Sequence, residues 1–133
     1  MRLRYAMVAD FANVTNDGKL NVMGVTDRLF AYQFPAVHRE LYVIDSLETD
    51  NEDDGTRQEV AVLVIDPDGR SLAEIRGHLD INGANQTLNQ IHCFQDIQFA
   101  TAGAHQVNIL LNGHPATEMR LELIKIEPAP EAR

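Results

Sequence analysis

The stretch that decides the fold is VAVLVIDPDGRSLAEIRGHLDI, residues 60–81. It opens with six consecutive apolar residues, passes through Asp66-Pro67-Asp68-Gly69, and ends in a segment where apolar and polar residues alternate. Asp-Gly supplies the positive φ angles of tight turns, and a period of two is the pattern of a half-buried strand. A continuous apolar run is typical of a strand covered on both faces. The stretch therefore predicts a β-hairpin with one central and one half-buried strand.

The same rhythm extends over nearly the whole chain. Similar runs, such as Leu88–Phe99 and Gln106–Leu111, are separated by turn signals that include Asn16-Asp17-Gly18. About eight strands at a spacing near ~8–12 residues predict an all-β fold, an antiparallel β-sandwich of the immunoglobulin-like or C2-like kind. In this interpretation residues 1–127 form one domain, and residues 128–133 form a short C-terminal tail.

The composition restricts the classes of function. The 133 residues carry a net charge of −9 and a single cysteine, Cys93. Nucleic acids require a basic face, so the charge predicts no nucleic-acid partner. No run approaches the ~18–20 apolar residues of a membrane span, which predicts no membrane insertion. Because one cysteine forms no intramolecular disulfide and no apolar signal region precedes the first strand, we expect a cytoplasmic protein.

Three segments in the first third of the chain carry a resemblance to a known family. They are YAMVAD at 5–10, DGKLNVMGV at 17–25 and FPAVH at 34–38. In these motifs and in its length, the chain resembles a family of small uncharacterised bacterial proteins of unknown function. The resemblance implies a bacterial single-domain protein, and it implies no catalytic residues because the family has no agreed activity.

An acidic segment is the most charged part of the chain. Residues 45–59 hold seven acidic side chains against Arg57 alone, which leaves a net charge of −6 there out of −9 overall. One interpretation is a mobile, solvated loop whose charge steers a basic protein partner, through Asp50, Glu52, Asp53 and Asp54. The alternative is a Ca²⁺ site, because Ca²⁺ takes oxygen ligands from loops of this kind. Its candidate ligands are Asp45, Glu48, Asp50, Asp53 and Asp54.

Three aromatic residues indicate a second part of a binding surface. Phe30, Tyr32 and Phe34 alternate along one segment, which we expect to continue the strand before it and to end at Pro35. Such a stripe either packs in the core or forms an exposed apolar patch for a partner. From these features the sequence predicts a non-catalytic protein-binding or assembly module of a bacterial cytoplasmic system, acting on a protein partner or as a homo-oligomer.

Groups for catalysis are scarce in the sequence. Cys93 alternates with Ile91 and Ile97 on a predicted apolar face, whereas Gln90 and His92 fall on the opposite, outward face. No pair of histidines has the spacing of a zinc site, so no cofactor and no enzymatic activity are predicted. A small-ligand or enzymatic pocket between the sheets stays open as a second alternative. The alternation offers it few inward polar side chains beyond Gln95.

Overall fold

The computed structural model describes residues 1–128, so the predicted tail lies outside the described residues from residue 129 onward. A short 3-10 helix, Asn51–Asp53, accompanies nine strands. The strands are, in chain order, β1 (Arg2–Val14), β2 (Leu20–Val25), β3 (Arg28–Ala31), β4 (Ala36–Glu48), β5 (Arg57–Ile65), β6 (Ser71–Asp80), β7 (Thr87–Phe99), β8 (Gly103–Leu111) and β9 (His114–Lys125). Within residues 1–128, no helix has both the length and the apolar character needed to cross a membrane.

The strands form two sheets that pack face to face. The first sheet has the order β2-β1-β4-β7, and the second has the order β3-β9-β8-β5-β6. Neighbouring strands are antiparallel, except that β3 runs parallel to β9. The predicted all-β sandwich is therefore confirmed, with nine strands where the turn signals indicate about eight.

The hairpin predicted from residues 60–81 forms as β5 and β6. The Asp66 side chain closes the turn, because its Oδ1 accepts the backbone N–H groups two and four residues further on, at 2.9 and 2.8 Å. β5 lies between β8 and β6 in the five-stranded sheet, and Val62 and Val64 are fully buried there. The central position that the apolar run predicts is therefore confirmed.

The segment before Pro35 leaves the first sheet, where the sequence predicts that it continues β2. After β2 the chain crosses to the second sheet, and β3 pairs with the end of β9. The Asp27 carbonyl accepts the Glu122 N–H at 2.8 Å at the start of this pairing. Leu29, only 8% exposed, joins the main core from β3. Burial of this side chain, which contributes ~1.5–3 kcal/mol, explains the crossing.

The main core lies between the two sheets, and one side of it is open. Val43, Leu47, Ile109 and Leu121 are among its fully buried members. β6 and β7 follow each other in the chain but lie in different sheets, each as the last strand of its sheet. Because neither strand has a further strand neighbour within residues 1–128, the gap between them is an opening into the interior of the sandwich.

Candidate functional site

The structure does not bring the predicted Ca²⁺ ligands together. Asp45 belongs to β4 and is fully buried, whereas Glu48, at the end of the same strand, pairs with Arg2. The other three carboxylates lie around the 3-10 helix. Within residues 1–128, no group of three or more His, Cys, Asp or Glu side chains is placed to hold a metal ion.

The acidic loop is ordered by its own carboxylates. Asp50 accepts the backbone N–H of Asp53 at 3.3 Å, and the Asp53 side chain accepts the Asp50 N–H at 2.9 Å. Asp53 Oδ2 also lies 2.8 Å from the amino nitrogen of Met1. Asp54 accepts the N–H of Gly83 at 2.7 Å. Three of the four carboxylates predicted to steer a partner thus hydrogen bond within the chain, although Asp50, Glu52 and Asp54 stay exposed to solvent.

The aromatic stripe is exposed only in part. Phe30 and Tyr32 are 57% and 60% exposed, beside the edge strand β3. Phe34 is partly buried and packs against the main core. The structure therefore leaves two of the three predicted aromatic side chains free for a partner.

An Asp–His pair is buried at the β7 edge of the sandwich. His92 Nε2 lies 2.6 Å from Asp45 Oδ2, and the two side chains are 11% and 0% exposed. A carboxylate only accepts hydrogen bonds, so Nε2 carries the hydrogen and donates the hydrogen bond to Asp45 Oδ2. This bond fixes the ring orientation and leaves Nδ1 as an acceptor in the neutral imidazole.

The assignment of faces along β7 from the sequence is wrong for its first half. Phe94 and Ile97 both pack in the main core although they are three residues apart, so the alternation changes phase between them. Asp96, which has a φ of +52°, lies at this change. Upstream of it, Gln90 and His92 share the inward face of Phe94. Cys93 therefore points to the outer face, beside its register partner Tyr42.

Two buried hydrogen-bond acceptors of this region lack a partner among the described residues. They are Gln90 Oε1 and Asp45 Oδ1. The two residues are direct register partners on β7 and β4. Unpaired buried polar atoms are costly, about 1–3 kcal/mol each. The other two such atoms among the described residues, His105 Nε2 and Asn108 Oδ1, belong to β8 of the other sheet.

A groove opens beside these polar side chains. It lies between β6 and β7 and has a volume of about 520 Å³. Its lining residues are Val60, Ile75, Gly77, His78, Leu79, Thr87, Leu88, Asn89, Gln90, Ile91 and His92. Side chains of Ile75 and Leu79 form an apolar wall, and Gln90 and His92 form the polar wall opposite.

The space of the groove is left open at Gly77, which has no side chain. This residue shares the inward face of Ile75 and Leu79, yet a Cβ placed on it would meet no atom within 4 Å. Seven of the eight glycines have positive φ angles that favour glycine, and Gly77 is the exception. Its backbone needs no glycine, so what the residue provides is the absence of a side chain.

The sequence contains one signal for this site. Asp45 falls on the same alternating face as Leu41, Val43 and Leu47, so a charged residue is visible within an apolar pattern. His92 and Gln90 could not be assigned in this way, because the phase change at Asp96 follows from backbone geometry. On β7 the structure thus turns Gln90 and His92 inward, whereas Gln95 is exposed.

The architecture defines the class of protein as a two-sheet β-sandwich with an open groove between its edge strands. The chain belongs to the family of unknown function DUF6941, whose profile matches residues 4–124. The resemblance to an uncharacterised family is therefore confirmed. No curated protein matches the chain.

Two solved structures are similar to this chain in fold. One is the Pseudomonas fluorescens alkylpurine DNA glycosylase AlkC bound to DNA containing an abasic site analogue, with 16% identity and a TM-score of 0.50. The match covers 92% of this chain but only 30% of the glycosylase chain. The other is an immunoglobulin-like protein from Pseudomonas aeruginosa, with 12% identity, a TM-score of 0.47, and coverage of 92% and 95% of the two chains. At these identities the likeness concerns the fold alone.

The Asp–His pair can be tested by its effect on stability. His92→Leu leaves the Asp45 carboxylate buried without a partner, and we expect it to lower the free energy of unfolding by about 3 kcal/mol. The double variant Asp45→Leu/His92→Leu replaces both polar groups, and we expect it to lie within about 1 kcal/mol of the wild type or above it. Urea unfolding measures both values. His78→Leu, at an exposed histidine of β6, is the control. Equal losses in the single and double variants would contradict the interpretation.

The order of the acidic loop predicts a pH dependence of stability. The hydrogen bond from the Met1 amino group, followed by the one from the Asp50 N–H, lowers the pKa of Asp53 below its usual 3.8. The stabilisation from Asp53 is therefore present above pH 3.8 and is lost as the pH falls through the lower pKa of the folded state.

We expect Asp53→Asn to be less stable than the wild type at neutral pH, and the difference to shrink as the pH falls below 3.8. Chemical unfolding across the acid range measures this difference. Glu52→Gln removes a charge from the same loop, at a carboxylate without a hydrogen-bond partner among the described residues, and is the matched control. A difference for Asp53→Asn that stays constant with pH would show that the contacts of Asp53 do not form.

Proposed function

We propose that this protein is a non-catalytic binding module that takes a small, largely apolar molecule into the groove between β6 and β7. The observation that carries the proposal is the groove of about 520 Å³ at Gly77. Two inward polar side chains, Gln90 and His92, face this groove within an apolar interior. Ligand sites are typically clefts of ~300–1,000 Å³ with apolar walls and a few polar groups that orient the ligand. The groove has this composition.

The energetics favour a functional origin for the polar wall. Unpaired buried acceptors lower stability, and apolar residues of similar volume often replace a buried polar pair without loss. Asp45, Gln90 and Gly77 all depart from the apolar filling of the neighbouring core positions. Departures of this kind concentrate at functional sites, because only function offsets their cost.

Ligand binding explains these groups better than catalysis does. His92 is oriented by Asp45 in the way that a general base is oriented, but an acyl-transfer site also needs a nucleophile beside it. Among the described residues, no Ser, Thr or Cys side chain hydrogen bonds with His92, and Cys93 lies on the opposite face of β7. His92 Nδ1 is instead suited to accept a hydrogen bond from a ligand.

The groove can be tested with a neutral probe, 2-phenylethanol, which has an apolar ring and one hydroxyl group. We expect its titration to shift the NMR signals of groove residues, those of His92 and Leu79 among them. Gly77→Leu fills the hollow and is expected to abolish the shifts. The variant is expected to fold, since no atom lies within 4 Å of the new Cβ and the φ of Gly77 is not positive.

Arg76→Leu is the matched control, because it places the same side chain on the same strand but on the outward face. It is expected to bind 2-phenylethanol as the wild type does. Equal binding by the wild type and Gly77→Leu, or shifts confined to another surface, would show that the groove is not the site.

A second candidate function is assembly through exposed aromatic side chains. Phe30 and Tyr32 are more than half exposed beside β3, an edge strand whose outer side has no strand neighbour among the described residues. Exposed apolar groups beside a free edge favour pairing with another chain. We place this role, a homo-oligomer or a complex with a protein partner, in a bacterial cytoplasm, as the sequence predicts.

The oligomeric form of this proposal is tested by native mass spectrometry. We expect the wild type to form a dimer or larger species that Phe30→Ser/Tyr32→Ser converts to the 14.9 kDa monomer. Val37→Ser removes an equally exposed apolar side chain, 60% exposed, from a strand of the other sheet and is the control. A wild-type chain that is monomeric at micromolar concentration would exclude assembly through this surface.

A further inference from the structure

Hydrogen-bond acceptors are concentrated at the inner end of the groove. Asp45 Oδ1 and Gln90 Oε1 are buried and lack partners among the described residues. The two residues are opposite each other in the β4–β7 ladder, where directly paired Cβ atoms lie ≈4.5–5.5 Å apart. His92 Nδ1 adds a third acceptor, because Nε2 holds the hydrogen of the ring and donates the hydrogen bond to Asp45. Of the three, Nδ1 is the acceptor that a ligand can reach, since the other two atoms are buried and act through their negative charge or partial charge. A ligand that supplies a hydrogen-bond donor therefore complements this end of the groove.

No fixed positive charge competes for these acceptors. The eleven lining residues include no Lys and no Arg. On the outward face of β6, Arg76 is engaged by Glu74 at 3.2 Å and by Glu59 at 4.0 Å. Asp45 is fully buried behind Gln90 and His92, so its negative charge is poorly screened by water. The net charge of −9 adds to the negative potential.

An anionic ligand is disfavoured by the same geometry. The ring of His92 presents Nδ1 as an acceptor, and the Asp45 carboxylate lies 2.6 Å from its Nε2, so this end of the groove offers an anion no donor. His78, the other titratable group of the lining, is an exposed side chain on the rim. A carboxylate or phosphate entering the groove would meet the acceptor His92 Nδ1, with two further acceptors buried behind it, and no Lys or Arg of the lining to compensate its charge.

We infer that the ligand carries a primary amine, or another small cationic hydrogen-bond donor, on an apolar body. This inference rests on the proposed function of the groove and names the class of ligand. The amine donates to His92 Nδ1, while the buried Gln90 Oε1 contributes only its partial negative charge. The apolar body lies along Ile75 and Leu79 in the hollow at Gly77. Asp45 is a positioning residue, since it fixes the tautomer of His92 and supplies the negative charge without reaching the groove surface.

Three probes with one apolar body test the inference at neutral pH: 2-phenylethylamine, 2-phenylethanol and phenylacetate. NMR titration of the wild-type chain gives the three dissociation constants. We expect the amine to bind about tenfold more tightly than the alcohol, because charge-assisted hydrogen bonds are roughly twice as strong as neutral ones. Phenylacetate is expected to bind most weakly.

Asp45→Asn removes the negative charge but keeps the size of the side chain and one acceptor oxygen. We expect it to remove the preference for the amine while it leaves the affinity for 2-phenylethanol nearly unchanged. If this variant does not fold, Gln90→Met serves in its place, since it keeps the chain length and removes one acceptor. That variant is expected to weaken the amine more than the alcohol.

The outcomes distinguish this inference from the function on which it rests. If the alcohol or the carboxylate binds as tightly as the amine, and Gly77→Leu abolishes binding of all probes, the ligand class is wrong and the groove remains the site. If no probe binds at millimolar concentration, or if Gly77→Leu binds them as the wild type does, the proposed function is wrong and the inference fails with it. An amine preference that Asp45→Asn removes supports both.

Discussion

Two facing sheets must fill the space between them with side chains, and the rest of this structure depends on that constraint. Packed sheets lie ≈10 Å apart, so each inward position is occupied from one sheet or the other. Val43 from the first sheet and Val62 and Ile109 from the second meet this requirement and are completely buried. At the β6–β7 side the requirement is not met, because Gly77 contributes no side chain. The groove is the space that remains, and its position at two free edges keeps the loss of packing away from the centre of the core.

The parts of the fold that local chemistry determines could be predicted from the sequence. The Asp66 turn and the apolar run before it predict the β5–β6 hairpin, because turn hydrogen bonds and alternation depend on neighbours in the chain. The crossing to β3 could not be predicted, since its pairing with β9 joins residues more than ninety positions apart, such as Leu29 and Leu123. Sheet membership of this kind is decided by long-range packing, for which one sequence carries no direct signal.

Only part of the candidate site could be predicted from the sequence, because the rest also depends on geometry that the local pattern does not signal. Asp45 stands out as a charge on the apolar face of β4, but an acidic cluster beside it suggested a loop and a cation. The carboxylates of that loop instead hold the turn together, in the way that Asp50 and Asp53 cap each other's backbone. On β7 the change of phase at Asp96 turned the predicted outward face inward. A positive φ at a non-glycine residue has no reliable signature in the side chains around it, so the inward histidine could not be foreseen.

The location of the groove also has a kinetic consequence. Because the opening lies between β6 and β7, which are the last strands of separate sheets, no ladder hydrogen bond spans it. A molecule can enter or leave there while every strand pair stays intact, so exchange does not wait for local unfolding. Residence times are then set by the contacts in the groove alone. The proposed ligand would therefore equilibrate with its free concentration without any unfolding of the sandwich.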